Sequence, residues 1–575
     1  MVDIDALGVA RSLRDIALGL QLTGDSKFRV GAFQRAADAV ETLGTRFEEL
    51  LGTSRLTEVP GIGAGIASQI VEIATTGKSR YLQKIAADLP PGAIELARVP
   101  GVSLPTIRKL SEAGVHGLEA LRRGLADGSL AAARGFGPKT VARLQTKLEL
   151  PEPTRAKGAL LMDALGEGSH LLDAMRGAGV VDQIEIAGEA RRSCEVVSAL
   201  VLVASTADPH RALDTFARLP RVVLAEPRGG DRIEGRLTSG LAVELTVTPA
   251  DAYPAALQRL TGSEAHNIAL DAVAEAKGLV VGLGGVRHAH DGSRVLVRDE
   301  RELYARVGAT YLPPPLREPD EPLEGPPRGP LLRAADLRGL VHVHTTYSDG
   351  RQSIEDMARA AETFGAEYLT ITDHSPTAHY ANGVEIDRLK RQWDEIASVQ
   401  ERVKIRILRG TESDILRDGS LDYPDEILEQ LDVVIASIHN RYALDRAAMT
   451  ERIVRAMRHP AFKIWGHGLG RILLRRPPVD VDFDAILDAV GTSRAAIELN
   501  GDPYRADLAP ELAKLARARG IRFVVSVDAH STRNYEHVTM GVHLAQRAGL
   551  EAADVLNTLD ADAFVAAVRP FPRGT

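Results

Sequence analysis

The chain has 575 residues, 44% of them hydrophobic, with a formal net charge of −8 and a single cysteine, Cys194. That length exceeds what one core sustains and implies three to five domains, while one cysteine excludes an internal disulfide or a cysteine-based zinc site. The acidic total argues against indiscriminate coating of nucleic acid but leaves room for a local basic groove, and the lack of a signal-like N-terminus or an 18-residue apolar run leads us to expect a cytoplasmic protein with no membrane partner.

Residues 1–150 are helical in pattern, broken by glycine turns, and slightly basic, by roughly +3. Two segments have the form of helix-hairpin-helix turns: Val59-Pro60-Gly61-Ile62-Gly63-Ala64-Gly65-Ile66 and Gly135-Phe136-Gly137-Pro138-Lys139-Thr140-Val141. Glycine lets such a backbone approach a partner closely, and N–H groups at the next helix's N-terminus can bind a DNA phosphate without reading bases. Gly61, Gly63, Gly65, Gly135, Gly137, Lys139 and Thr140 are therefore candidate DNA contacts. Val99-Pro100-Gly101-Val102-Ser103 is a degenerate third copy without the second glycine. Residues 180–250 hold β-rich runs at Gln183–Ile186, Leu200–Ala204 and Val243–Val247, as expected of an α/β or α+β region. From Leu312 to Pro330 the prolines read as a semi-rigid, extended linker.

Beyond it, seven strand candidates alternate with helical segments: Leu340–Thr345, Tyr368–Asp373, Lys404–Glu412, Val433–Ile438, Lys463–Gly466, Ala495–Asn500 and Arg522–Asp528. Such alternation implies a parallel sheet, and seven units suggest an incomplete barrel. At or just past the C-terminal ends of these strands stand His342, His344, Asp349, His374, Glu412, His439, His467, Asp528 and His530. Period-two alternation places His342 and His344 on one face, able to chelate one ion without bending the backbone. Another His-x-His, His288-Ala289-His290, sits in a glycine-rich turn without later strand-end ligands and reads as a chance pair. Six imidazoles and three carboxylates suit Mn, Zn or Fe rather than Ca, and their number fits three divalent ions. Adjacent dications favour phosphate-ester hydrolysis. Glu412, Asp528, His439 and Arg471 form the candidate catalytic set: Glu412 as bridge between cations, Arg471 as a phosphate holder. Asp373 is expected to orient an imidazole.

These residues, with Ser348-Asp349-Gly350, Thr372-Asp373-His374, Ser437-Ile438-His439, Gly466-His467 and Val527-Asp528-Ala529-His530, resemble the PHP (polymerase and histidinol phosphatase) family of metal phosphoesterases across 335–570. The resemblance implies a (β/α)7 barrel with one ion on His342, His344, Glu412 and Asp528, a second on Glu412, His439 and His467, and a third on Asp349, His374 and His530. The hairpin turns, Phe28–Ala37, Leu260–Asn267 and Leu303–Gly308 followed by Tyr311-Leu312-Pro313-Pro314 resemble the bacterial family X DNA polymerases. That resemblance implies all-α DNA-binding domains at 1–85 and 86–150, an α/β nucleotidyltransferase-type palm at 151–262, a thumb at 263–317, a linker at 318–334 and the PHP barrel at 335–575.

The palm departs from the family pattern, which has Gly-Ser, two arginines, an Asp-x-Asp on one strand and a third Asp on its neighbour. Here Gly188-Glu189-Ala190-Arg191-Arg192 keeps both arginines, Arg191 and Arg192, but has Glu189 for the serine, and spacing puts Ala199, Val201 and Glu244 at the three carboxylate positions. Two-metal nucleotidyl transfer has too few anions left, so the polymerase site is expected to be inactive. Where animal members carry a Schiff-base lysine the chain has Gln69, whose amide is not nucleophilic. The expected activity is a metal-dependent 3′–5′ exonuclease acting in DNA repair, with 3′-phosphatase or abasic-site cleavage as extensions. The expected partner is gapped, nicked or 3′-ended DNA, and the expected state a monomer. The competing readings are a gap-filling polymerase with a proofreading PHP domain, a DNA-end scaffold with vestigial sites, and a small-molecule phosphatase of histidinol-phosphatase type.

Overall fold

The computed structural model describes residues 6–568 except 44–46, 48–49, 52–54, 60, 100–101, 134–135, 138–139, 142–143, 145–157, 320, 326–328, 441–443, 475 and 494. Pro60, Pro100, Gly101, Gly135, Pro138, Lys139, Pro326 and Pro327 thus lie outside the described residues. Two compact units emerge, Met1–Arg192 with Val196–Gly325, and Ser193–Glu195 with Pro326–Thr575.

The first unit opens with helices Ala6–Leu22 and Lys27–Leu43, whose apolar stripes meet over Leu13, Ile16, Phe33, Ile70 and Ile73. A second helical core gathers Leu96, Ile107, Leu110, Leu121 and Phe136. A five-stranded sheet follows, in the order Gln183–Ala187, Ala199–Ser205, Ala242–Thr248, Arg232–Leu237, Val222–Pro227, with only the Ala199–Ser205 and Ala242–Thr248 pair parallel. The proline-rich start at Leu312 differs from an extended linker. Pro314–Leu316 forms a 3-10 turn, Leu312, Pro315, Leu316 and Arg317 are buried, and the Arg317 guanidinium bonds the carbonyl of Leu312 (3.0 Å) and the carboxylate of Glu300. A buried Arg–Glu pair anchors this stretch, which proline content alone does not reveal.

The second unit is a barrel of seven parallel strands in chain order: Gly339–Val343, Tyr368–Ile371, Arg406–Asp414, Val433–Ser437, Ile464–Trp465, Ala496–Asn500 and Phe523–Ser526. Backbone bonds from Val527 N to Val341 O (3.1 Å) and from Ala529 N to His342 O (3.0 Å) join the last strand to the first. The crossover helices carry ordinary start and stop signals. Ile354–Phe364, for instance, begins at a Ser353/Asp356 capping box and ends at Gly365 with φ 96°. Val341, Leu408, Val433, Ile435, Ile464, Ala496 and Val524 fill the interior against Phe564 and Val565 of the final helix, while Leu340, Val343, Ile407, Val434, Trp465, Ile497 and Val525 face the surrounding helices. The barrel is therefore packed at its base, and the clustered imidazoles and carboxylates stand at its C-terminal rim.

Candidate metal centre

Parity along the strands decides which side chains reach the rim. Counting by two from the interior residues Tyr368, Leu408, Ile435, Ala496 and Val524 leads to His374, Glu412, His439, Glu498 and Asp528, all inward. Three candidate ligands, His342, His344 and His467, break the rule. Val341 faces inward, so an unbroken strand would turn His342 and His344 out; the strand instead shifts register between Leu340 and Val343, with His342 at φ 71°. The expectation of an unbent His-x-His strand is corrected here: only a bulge lets both imidazoles enter behind Val341. The N–H groups that the bulge displaces are satisfied by threonine hydroxyls, His342 N to Thr370 (3.0 Å) and Val343 N to Thr372 (2.9 Å). His467, one residue out of step after Ile464 and Gly466, has φ 25°, and Asp528 has φ 44°. Non-glycine residues held at positive φ are strained, and three of the nine ligands are held so.

All nine residues meet. Glu412 is at the centre: its Oε1 lies 2.7 Å from His467 Nε2 and 3.2 Å from His439 Nε2. Its Oε2 lies 2.9 Å from His374 Nδ1, 3.4 Å from His342 Nε2 and 3.7 Å from His344 Nε2. Asp528 Oδ1 faces His344 (3.5 Å), His530 (3.7 Å) and His342 (3.9 Å), and Asp349 Oδ1 faces His530 (3.4 Å), His374 (3.7 Å) and His344 (3.9 Å). Burial opposes ionisation of Glu412 and Asp528, yet the surrounding imidazoles hold both carboxyls well below their ordinary range. Burial and the neighbouring His530 and His374 push His344 down to about 3, so it stands as a neutral ligand.

The donor set fits metal ions. His342 Nε2, His344 Nδ1 and Nε2, His374 Nδ1, His439 Nε2 and His467 Nδ1 are buried and form no hydrogen bond, although His374 Nδ1, His439 Nε2 and His342 Nε2 lie 2.9, 3.2 and 3.4 Å from Glu412 oxygens. Nitrogens buried in that way are expensive unless a cation takes their lone pairs. Four groups of three or four donor atoms fall within 4.8 Å of one another, among them His344, Asp349, His374 and His530, and His342, His344 and Glu412.

Two residues absent from the sequence reading hold the ligands in place. Glu498 Oε1 sits 2.5 Å from His342 Nδ1 while its other oxygen accepts from the backbone of His467, and Asp414 Oδ1 sits 2.6 Å from His439 Nδ1. Each fixes a tautomer and turns Nε2 toward Glu412. The available signal was parity: Asp414 follows Glu412 by two, and Glu498 interrupts the apolar residues Ala496, Ile497 and Leu499. Asp373 does not have the orienting role expected of it. Its oxygens accept from Thr345 N (2.7 Å) and Oγ1 (2.6 Å), from Ser348 and from Gln392 (2.6 Å), tying down the 345–348 loop. Arg471, expected to hold phosphate, donates to the carbonyls of Arg505 (3.1 Å) and Ala506; Arg505 is the guanidinium beside a ligand, 3.2 Å from Asp528 Oδ2. Glu498→Gln or Asp414→Asn is expected to weaken metal binding by roughly 10- to 100-fold without unfolding the barrel. Metal content after dialysis against graded chelator measures this, and unchanged retention would remove the orienting role.

The polymerase-like sheet is differently equipped. Val201 pairs with Glu244 and Ala199 with Ala242 across the parallel strands, so the three positions read from spacing share one half-exposed face. Glu244 is held by Arg232 at 2.8 Å. Arg191 makes a fork to Glu300 (2.9 and 2.8 Å), and Arg192 pairs with Glu318 (2.9 Å) and the Thr261 carbonyl (2.7 Å). Glu189 accepts from the backbone and hydroxyl of Ser198, both at 2.6 Å. In the first hairpin Gly61 has φ 93°, and Gly63, the N-cap of helix Ala64–Thr76, and Gly65, in its first turn, are exposed with open space where a Cβ would stand. Gly137 is likewise exposed and open, and its carbonyl accepts from Thr140 N. Gln69 accepts from Ser79 Oγ (3.3 Å), and Lys78 and Lys84 are exposed. His288 and His290 are exposed side by side in the thumb region.

A half with helix-hairpin-helix domains and an α/β sheet, joined in one chain to a seven-stranded barrel with an imidazole–carboxylate rim, defines a DNA-binding, metal-dependent phosphoesterase. Family models match as a helix-hairpin-helix domain over 8–79, a SAM-like helix-hairpin-helix tandem over 93–149, a DNA polymerase beta thumb over 256–318 and a PHP domain over 341–501. The DNA polymerase/3′-5′ exonuclease PolX of Bacillus subtilis (strain 168) is 31% identical over 574 residues, covering 97% of this chain and 98% of that protein. The chain belongs to the bacterial PolX family, the family X DNA polymerases with a C-terminal PHP domain. Probable phosphatases of Caldanaerobacter subterraneus subsp. tengcongensis and Thermoanaerobacter sp. (strain X514) are 28% and 29% identical, covering 39% and 38% of this chain and 88% and 89% of their own lengths. No helix among the described residues is long and apolar enough to cross a membrane.

Proposed function

We propose that the chain is a 3′–5′ DNA exonuclease of repair whose rim cluster is the principal catalytic centre, and that its polymerase-like half binds DNA without extending it. The convergence of five imidazoles on Glu412, in a chain whose five-stranded sheet offers Val201 opposite an arginine-paired Glu244, carries this reading. Three divalent ions, Mn in our reading with Zn or Fe as alternatives, would be held by His342, His344, Glu412 and Asp528, by Glu412, His439 and His467, and by Asp349, His374 and His530. Bound ions supply a polarised phosphoryl oxygen and a water acidic enough to attack near neutral pH. Of the chain's own groups, Glu412 spreads its charge over both sides of the cluster, and Glu498 and Asp414 keep the imidazoles on their metal-facing nitrogens. The Arg505 guanidinium stands where it can meet a phosphate oxygen, with Arg471 positioning its loop. Gly61, Gly63, Gly65, Gly137 and Thr140 are our candidates for non-specific contacts to DNA phosphates.

The test is a gapped duplex labelled at the primer 5′ end, incubated with the full chain and Mn with and without dNTPs. We expect the primer to shorten by single nucleotides in both. An intact primer under both conditions would overturn the reading. The likeness to the two probable phosphatases favours a second activity on 3′-phosphate ends, read as free phosphate from 3′-phosphorylated oligonucleotides.

A further inference from the structure

Tyr380 is exposed over 69% of its surface, yet its ring stands 6.0 Å from that of His374 and 6.1 Å from that of His439. It is carried by a 3-10 turn, His379–Ala381, which leaves the rim just past the second strand. The turn is fastened at both feet. Thr377 donates to Asp422 (2.7 Å from its N, 2.9 Å from its hydroxyl) and to Asp414 (2.9 Å), while Val384 N donates to the His374 carbonyl (2.8 Å). Ala378 and Ala381 are buried beneath it, Asn382 reaches the Ser348 carbonyl (3.3 Å), and a Cβ on Gly383 would meet Ser375 O at 2.2 Å. Asp414 thus grips both His439 and the foot of this turn, setting the tyrosine in register with the ligands. The ring is thus more than half exposed, on a turn fastened to the lip of the cluster. A π-face so placed suits one ligand chemistry, the flat ring of a nucleobase, which stacks irrespective of its identity.

We infer that Tyr380 is the platform on which the terminal nucleobase of a DNA 3′ end stacks while the adjoining phosphodiester lies at the metal centre. The inference rests on the nuclease reading above and names the part of the substrate that the lip recognises. It makes Tyr380 a positioning residue for the scissile bond: a base held there places its 3′ nucleotide over His374 and His439, and any of the four bases serves.

The experiment compares the full chain with Tyr380→Ala, Tyr380→Phe and Tyr380→Trp on a single strand ending in 2-aminopurine. In chelator, where nothing is cut, the wild type, Phe and Trp proteins should quench the terminal 2-aminopurine and the Ala protein should not. With Mn, Tyr380→Ala should lower kcat/KM roughly 10- to 100-fold, chiefly through KM, with Phe restoring it. On a strand ending in an abasic sugar the difference between wild type and Tyr380→Ala should shrink to within about twofold. Equal quenching and equal KM in Tyr380→Ala, or an undiminished difference on the abasic end, overturns the inference while the nuclease reading stands. A wild type that shortens neither strand removes the nuclease reading, and this inference with it.

Discussion

His344→Ala is expected to abolish Mn-dependent shortening of DNA, lowering the rate by ~10³-fold or more, equivalent to about 4 kcal/mol of transition-state stabilisation. The size of the effect follows from position. His344 is fully buried and faces all three ligand carboxylates, Asp528 at 3.5 Å, Glu412 at 3.7 Å and Asp349 at 3.9 Å, so its loss opens more than one of the donor groups. Three carboxylates would then share five imidazoles, and both affinity and geometry should fail together. Bound Mn per chain, measured alongside the rate, separates a lost site from a lost fold. His344→Asn, closer in volume, guards against a cavity artefact. Full activity in a purified variant that retains its metal would sink the assignment of this cluster.

The second large effect is an expected silence. Primer extension on a gapped template with dNTPs and Mn should fall on the order of 10⁴- to 10⁵-fold below a competent polymerase, because loss of two carboxylates withdraws about 5–7 kcal/mol from the transition state. The fold adds a reason that composition lacks. Glu244, the one remaining acid of the three, is held by Arg232, and Arg192 is taken up by Glu318 and the Thr261 carbonyl. Restoring one acid by Val201→Asp is therefore expected to leave extension undetected, since the incoming carboxylate would face an arginine-paired neighbour and no second acid at Ala199. Template-directed growth of the primer in the wild-type chain would refute the inactive-palm reading and favour a proofreading polymerase, the double activity named for the Bacillus subtilis relative.

The seven barrel strands and their rim were legible because each strand is a short apolar run followed within a few residues by a ligand, and a parallel sheet sends all such ends to one side. The helix-hairpin-helix turns were legible for a similar local reason: glycine at fixed spacing before a helical run has few other uses. The thumb edge was less so. Prolines from Leu312 suggested an open linker, and only the burial of Arg317 against Glu300 shows that the stretch up to it belongs to a core. A proline pattern reports backbone restriction, and it carries no information on what the segment packs against.

By itself, then, the sequence determined which residue types end each strand, hence the nine candidate donors from His342 to His530, and which residues stand where spacing looks for the palm carboxylates. Side-chain identity and local period are properties of neighbours in the chain. Tertiary structure alone decided how those donors are aimed. The bulge at His342 and the positive φ of His467 reverse the period-two reading at His342, His344 and His467, and such backbone states persist only where packing over-determines them. Glu498 and Asp414 became orienting residues, Arg505 displaced Arg471 beside Asp528, and Tyr380 came to stand over two imidazoles, because these partners are 25 to 156 residues apart or meet across loops. Contacts at that separation are fixed by barrel closure, and no local pattern in the chain encodes them.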